Sequence, residues 1–86
     1  MSGPYRVEIQ RRALKEIAKL DAKMRQRIGE AIDELATDPR PPGCKKLVGR
    51  EAWRIRVGSY RVLYDIEDDV LVVRVVRVAH RREVYE

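Results

Sequence analysis

A chain of 86 residues has room for one hydrophobic core, so residues 1–86 are expected to form a single domain. With 44% apolar and 38% charged residues of both signs, it is patterned as a globular domain and not as a disordered segment. The net charge of +5 favours a polyanionic partner, nucleic acid or an acidic protein, and the single cysteine, Cys44, excludes an internal disulfide. The first residues lack an apolar signal segment, and no run nears the roughly 20 apolar residues of a membrane span. The expectation is therefore a cytoplasmic protein that makes no membrane contact.

Residues 4–10, PYRVEIQ, alternate Tyr5, Val7 and Ile9 against Arg6, Glu8 and Gln10. That is the pattern of a half-buried strand, with Pro4 at its first position, where a missing N–H is tolerated. From Arg11 the period lengthens. Leu14, Ile17 and Ala18 share one face and Arg11, Lys15 and Lys19 another, which predicts a short amphipathic helix. Asp21 stands where it would cap a second helix, in which Met24, Ile28, Ala31, Ile32 and Leu35 recur at i, i+4, i+7, i+8 and i+11. Lys23, Arg27, Glu30 and Glu34 give that helix a charged, solvated face with pairs at helical spacing. The two helices are expected to form an antiparallel hairpin over a sheet.

Thr37-Asp38-Pro39 closes the second helix, because proline disfavours helical geometry in the residue before it. The stretch DPRPPGCKK that follows reads as a loop, with Lys45 and Lys46 as candidates to touch a phosphate backbone. Leu47 and Val48 are expected to tuck back against the core before Gly49.

The next stretch, WRIRVGSYRVLY from Trp53 to Tyr64, carries two alternating runs around Gly58-Ser59, the signature of a β-hairpin with a two-residue turn. If Val57 pairs with Tyr60, Ile55 faces Val62 and Trp53 faces Tyr64, giving one apolar–aromatic face. The other face then sets Arg56 directly across from Arg61, with Arg54 two residues along. Like charges at opposed positions destabilise a sheet. Three guanidinium groups on one small patch therefore point to a bound anion.

Asp65 to Asp69 read as an acidic turn. Residues 70–79, VLVVRVVRVA, hold six valines and predict a strand lying mid-sheet or covered on both faces, with the faces of Arg74 and Arg77 left open. The chain ends His80-Arg81-Arg82-Glu83-Val84-Tyr85-Glu86. The predicted order is β-α-α-β-β-β, an α+β fold with a helical hairpin packed on a small, largely antiparallel sheet and a tail rich in reactive groups.

One histidine and one cysteine give no pair at metal-ligand spacing, and the acidic turn lacks the spaced loop of an EF-hand. Ser59 has no histidine or acid near it in sequence, and no glycine-rich nucleotide loop is present. No metal site and no cofactor are expected. What remains is basic and phenolic: Arg54, Arg56, Arg61, His80, Arg81, Arg82 and Tyr85. Guanidinium groups bind phosphate and stabilise the extra charge of a pentacoordinate transition state, and a phenol or imidazole can move a proton. Such a set suits metal-free cleavage of RNA, in which the ribose 2′-OH attacks the adjacent phosphate.

The element order, the hairpin WRIRVGSYRVLYDI, the valine-rich strand after it and the ending VAHRREVY together resemble the RelE/ParE superfamily of type II toxin–antitoxin systems over essentially the whole chain. Val84-Tyr85 resembles the RelE branch, whose members are mRNA interferases. The resemblance implies a ribosome-dependent endoribonuclease that cleaves mRNA in the A site of the 70S ribosome and so inhibits translation. It implies a RelB-like antitoxin that covers the groove or displaces the tail, and a toxin–antitoxin complex that binds operator DNA. By the same likeness, Arg54 and Arg56 match basic residues that contact or polarise the scissile phosphate, and Arg61 matches the arginine that stabilises its transition state. Arg81 matches the residue assigned to the leaving group, and Tyr85 matches a tyrosine that stacks on an mRNA base and helps deprotonate the 2′-OH. Lys45, Lys46 and Arg82 are further candidates for RNA contact. This chain departs from RelE proteins in carrying arginine where they carry lysine, at Arg54 and Arg56. Arginine stays protonated, so proton abstraction falls to Tyr85 or His80. The ParE branch shares the fold and the G-x-Y-R hairpin and implies the alternative, a non-enzymatic inhibitor of DNA gyrase. A homologue that only binds antitoxin and DNA is a third reading.

Overall fold

The computed structural model describes residues 3–49, 51–80 and 82. Chain order runs β1 (Arg6–Ile9), α1 (Arg11–Ala18), α2 (Ala22–Leu35), β2 (Lys45–Lys46), β3 (Trp53–Val57), β4 (Tyr60–Glu67) and β5 (Val72–His80). The strands make one sheet in the order β1-β5-β4-β3-β2, antiparallel except where β1 lies parallel to β5. The α+β architecture is the expected one. The short β2 is an addition: Lys45 and Lys46 form an edge ladder with β3 in place of a plain loop.

Both helices cover one face of the sheet. Ala13 of α1 and Ile28, Ile32 and Leu35 of α2 pack with Ile55, Val57, Val62, Tyr64, Val73, Val75 and Val78. Asp21 caps α2 as its position suggests, its carboxylate accepting the Met24 N–H at 2.8 Å. In α1 the buried face differs from the expected one. Ala13 is fully buried while Leu14 is 52% exposed, so the inward stripe is Ala13, Ile17 and Leu20. A methyl group at the contact lets α1 lie close on β5, where a leucine would hold it off. Leu47 is buried as expected, but Val48 is 87% exposed. The Leu47 N–H donates to Ala52 O at 2.8 Å, and the turn so closed leaves Val48 pointing away from the sheet. The acidic stretch is also divided: Asp65 and Glu67 belong to β4, and the turn proper covers residues 68–71.

The hairpin has the register its alternation predicts, with Val57 opposite Tyr60, Ile55 opposite Val62, Trp53 opposite Tyr64 and Arg56 opposite Arg61. Gly58 takes φ +60° and Ser59 does not take a positive φ, the pattern of a type II′ turn with glycine first. A Cβ on Gly58 would be strained by its backbone and would stand 3.1 Å from Met24 Cε. Gly58→Ala is expected to cost at least ~1–2 kcal/mol, read as a lowered thermal midpoint. An unchanged midpoint would show that the turn relaxes to another type.

The register of β5 is set by a bulge. Leu63 pairs with Arg77 but Tyr64 pairs with Val75, so Val76 is the extra residue. The inward parity of Val73 and Val75 therefore passes to Val78 and not to Arg77. Val76 and Ala79 join Leu47, Leu63 and Ala52 in a second apolar cluster on the face away from the helices.

A polar cluster ties the turn after β4 to the loop after α2. Tyr5 donates to Asp68 Oδ1 at 2.7 Å, and Arg40 reaches both carboxylate oxygens of Asp68 at 3.2 and 2.9 Å. Arg40 also lies over the Trp53 ring, 5.1 Å from its centroid. Hydrogen bonds from Arg40 first, and then from Tyr5, hold the Asp68 carboxyl down to about 2. A depressed carboxyl favours the fold above the ordinary carboxylate range, and that contribution is lost as pH falls from about 4 toward 2. Asp68→Asn is expected to flatten the acid limb of a plot of thermal midpoint against pH. A limb of unchanged slope would assign acid sensitivity elsewhere.

Candidate RNA-binding face

Residues directly opposed across a ladder share a face, so the pairings sort the basic side chains. Arg56 and Arg61 are opposed, Arg54 lies along β3 opposite Leu63, and Lys45 of β2 is opposite Arg54. Lys45, Arg54, Arg56 and Arg61 therefore gather on the helix-free face at the hairpin end of the sheet. They differ in depth. Arg54 is 3% exposed, Arg61 is half-buried, and Arg56 and Lys45 are exposed. Arg54 thus underlies the patch, and the other three present it to solvent.

The far end of this face carries a different charge pattern. Arg74 reaches Glu8 at 3.5 Å, Asp65 at 2.9 Å and Glu67 at 2.6 Å, across three strands. Its hydrogen bond to Glu67, followed by the field of Asp65, Glu67 and Glu8, holds the guanidinium above its ordinary pKa. The face is polarised along its strands. Four basic side chains stand together at the hairpin end, whereas at the other end a single arginine meets three carboxylates, so a polyanion meets more positive charge at the hairpin end.

Two candidate residues are placed elsewhere. Lys46 is opposite Trp53, on the other face from Lys45, and pairs with Glu51 at 3.4 Å. His80 is opposite Tyr60, on the helix side of the sheet, and meets its ring edge-on at 5.5 Å between centroids. The bulge is the cause, since uninterrupted alternation from Val75 would turn His80 toward the arginines. His80 Nδ1 accepts the Arg82 N–H at 3.2 Å. It borders a cleft of about 240 Å³ lined also by Glu16, Lys19, Leu20 and Tyr60. Arg81 and Tyr85 lie outside the described residues.

Arg77, opposite Leu63, shares the arginine face by register, but its guanidinium turns round the open edge of β5 to α1. Its Nε donates to Glu16 Oε2 at 2.9 Å, and Glu16 Oε1 accepts the Val78 N–H at 2.7 Å. Helical periodicity marks Glu16 only as one more charge on α1. What distinguishes it is a strand edge far along the chain, which no local pattern reveals. Among the described residues, no three His, Cys, Asp or Glu side chains gather as a metal site needs, and no helix is long and apolar enough to cross a membrane.

Comparison with known proteins gives a consistent picture. The family described as the ParE toxin of type II toxin-antitoxin system, parDE, matches residues 7–85. The mRNA interferase toxin RelE of Escherichia coli is 31% identical over 91 residues, covering 94% of this chain and 90% of its own length. Toxin RelG of Mycobacterium tuberculosis is 33% identical over 86 residues, covering 95% and 97%. Among solved structures, the archaeal RelE–RelB complex from Pyrococcus horikoshii matches with a TM-score of 0.83 and 28% identity, over 94% of this chain and 99% of that one. Family profile, relatives and fold agree: the chain belongs to the RelE/ParE family of type II toxin–antitoxin toxins.

Proposed function

We propose that this toxin is a ribosome-dependent endoribonuclease that cleaves mRNA in the A site and inhibits translation. The observation that carries the reading is the direct opposition of Arg56 and Arg61 beside Arg54 and Lys45 on the helix-free face. That arrangement is costly to a sheet and useful to a phosphate. The relative named as an mRNA interferase supports it.

In this mechanism Arg56 and Lys45 hold the RNA backbone, while Arg54 contributes its field from beneath. Arg61 meets the non-bridging oxygens as the 2′-oxygen bonds to phosphorus and the bond to the 5′-oxygen breaks. The products are a 2′,3′-cyclic phosphate or its 3′-phosphate and a 5′-hydroxyl. Because His80 stands on the other side of the sheet, the 2′-OH proton is assigned to Tyr85; Arg81 is assigned to the negative charge on the departing 5′-oxygen, which takes its proton from water. A phenol of pKa about 10 needs neighbouring cations to ionise near neutrality, and in this mechanism the arginine cluster would be their source. The step needs no metal. A RelB-like antitoxin is the proposed partner, supported by the RelE–RelB complex among the structural relatives. The pair would bind operator DNA, and the toxin would act in the cytoplasm.

The test is to incubate the protein with programmed ribosomes and map mRNA 5′ ends. Cuts confined to A-site codons support the reading. Intact mRNA together with inhibited gyrase supercoiling would overturn it in favour of a gyrase poison. Intact mRNA and unaffected gyrase would leave an antitoxin-binding homologue.

A further inference from the structure

The open edge of β5 holds a contact that neither the core nor the arginine face requires. β1 stops pairing at Ile9 opposite Val75, and its last bond runs from the Gln10 N–H to Val75 O at 2.9 Å. β5 continues to His80, and beyond Val75 no strand among the described residues runs along that edge to accept the Val78 N–H. Glu16 of α1 stands in for one. One carboxylate oxygen takes the Val78 N–H at 2.7 Å and the other takes Arg77 Nε at 2.9 Å. Both bonds are charge-assisted, and the backbone bond fixes the main chain itself. The Glu16 side chain as a whole is 22% exposed, so most of it is withdrawn from water.

The location gives this clamp a consequence. Val78 lies three residues before Arg81 and seven before Tyr85. A strand end with unpaired edge amides opens at low free energy, and the residues that follow inherit its wandering. In-line cleavage is sensitive to such displacement, since a misplacement of about 1 Å can cost on the order of 10²-fold in rate. We propose that Glu16 is a positioning residue for RNA cleavage: it grips the end of β5 and so fixes the strand end to which Arg81 and Tyr85 are joined in the chain. It touches no substrate and acts through Val78 and Arg77. This inference rests on the cleavage reading above.

Glu16→Ala, Glu16→Gln and the core variant Ile28→Val separate positioning from general stability. Single-turnover cleavage on programmed ribosomes is measured with amide hydrogen exchange at Val78 and Val73. Glu16→Ala is expected to lower the cleavage rate at saturating toxin on the order of 10²-fold, with ribosome affinity unchanged. Its Val78 amide should exchange faster while Val73, central in the sheet, stays protected. Glu16→Gln keeps an oxygen for the Val78 N–H and should recover most of the rate. Ile28→Val should lower the thermal midpoint yet cleave at the wild-type rate. Unchanged Val78 exchange in Glu16→Ala overturns the clamp whether or not RNA is cut. Faster exchange with wild-type cleavage overturns the positioning role. If the wild type cuts nothing although Val78 responds, the cleavage reading fails and takes the positioning role with it, while the clamp stands.

Discussion

Arg61→Ala is expected to lower mRNA cleavage on programmed ribosomes by about 10²–10³-fold, the usual cost of removing one donor aimed at developing transition-state charge. The loss should fall on the rate at saturation and not on ribosome affinity, because Arg56 and Lys45 remain to hold the backbone. Arg61→Lys keeps the charge but gives up the planar fork that meets two phosphate oxygens, so its rate should lie between the two. The facing residue supplies a complementary measurement. Arg56 is exposed and directly opposed to Arg61, so Arg56→Thr removes a like-charge pair and adds a β-branched residue to a strand. It should raise stability by ~0.2–1 kcal/mol while weakening RNA binding and reducing its salt dependence. A toxin that grows more stable as it loses RNA would show that the sheet tolerates this pair for its substrate. Wild-type cleavage by Arg61→Ala would remove Arg61 from the mechanism.

The hairpin was legible because β3 and β4 alternate cleanly around Gly58-Ser59, so one turn position fixes every pairing from Trp53 to Tyr64. The α2 face was legible for the same reason at a different period, with Ile28, Ile32 and Leu35 inward. The sequence of β5 conceals its own register. Six valines between residues 70 and 79 suit either face, so nothing marks Val76 as a bulge. That one residue decides whether His80 stands with the arginines or with Tyr60, and it turns one of the two candidate bases away from the proposed site. Lys45 and Lys46 are adjacent and chemically alike, yet a two-residue ladder sends them to opposite faces. In α1, hydrophobicity favours Leu14 at the interface, but close packing against β5 favours Ala13. The residues misread from sequence are those whose place depends on a long-range partner.

Tyr64→Ala is expected to be the most damaging substitution to the fold, at ~3–5 kcal/mol, a large share of the ~5–15 kcal/mol that holds a domain together. Tyr64 is fully buried between the hairpin and the helices, and its hydroxyl donates to Pro39 O at 2.7 Å. Tyr64→Phe keeps the ring and tests that bond alone. It leaves the carbonyl of a buried residue without its donor, at a cost of about 1–3 kcal/mol, or roughly 4–8 °C in thermal midpoint for each kcal/mol. The two variants also differ from wild type in alkali. Burial foremost, and then the neighbouring Cys44, push the Tyr64 phenol above its ordinary value of 10. A raised phenol favours the fold fully below pH 10, and that contribution is lost as pH climbs toward the folded value, by up to ~1.4 kcal/mol per pH unit. Wild type should therefore weaken steeply above pH 10, and Tyr64→Phe should weaken less steeply from a lower starting point. Tyr5 is also raised, through its bond to Asp68, so Tyr5→Phe measures the part of the slope that Tyr64 does not own. The hydroxyl of Tyr64 holds the loop that leads from Pro39 into β2 and Lys45, so its loss should speed amide exchange at Leu47 before it reaches the centre of β4. Equal acceleration at both places would mean that Tyr64 supports the core as a whole and does not act as the latch of that loop.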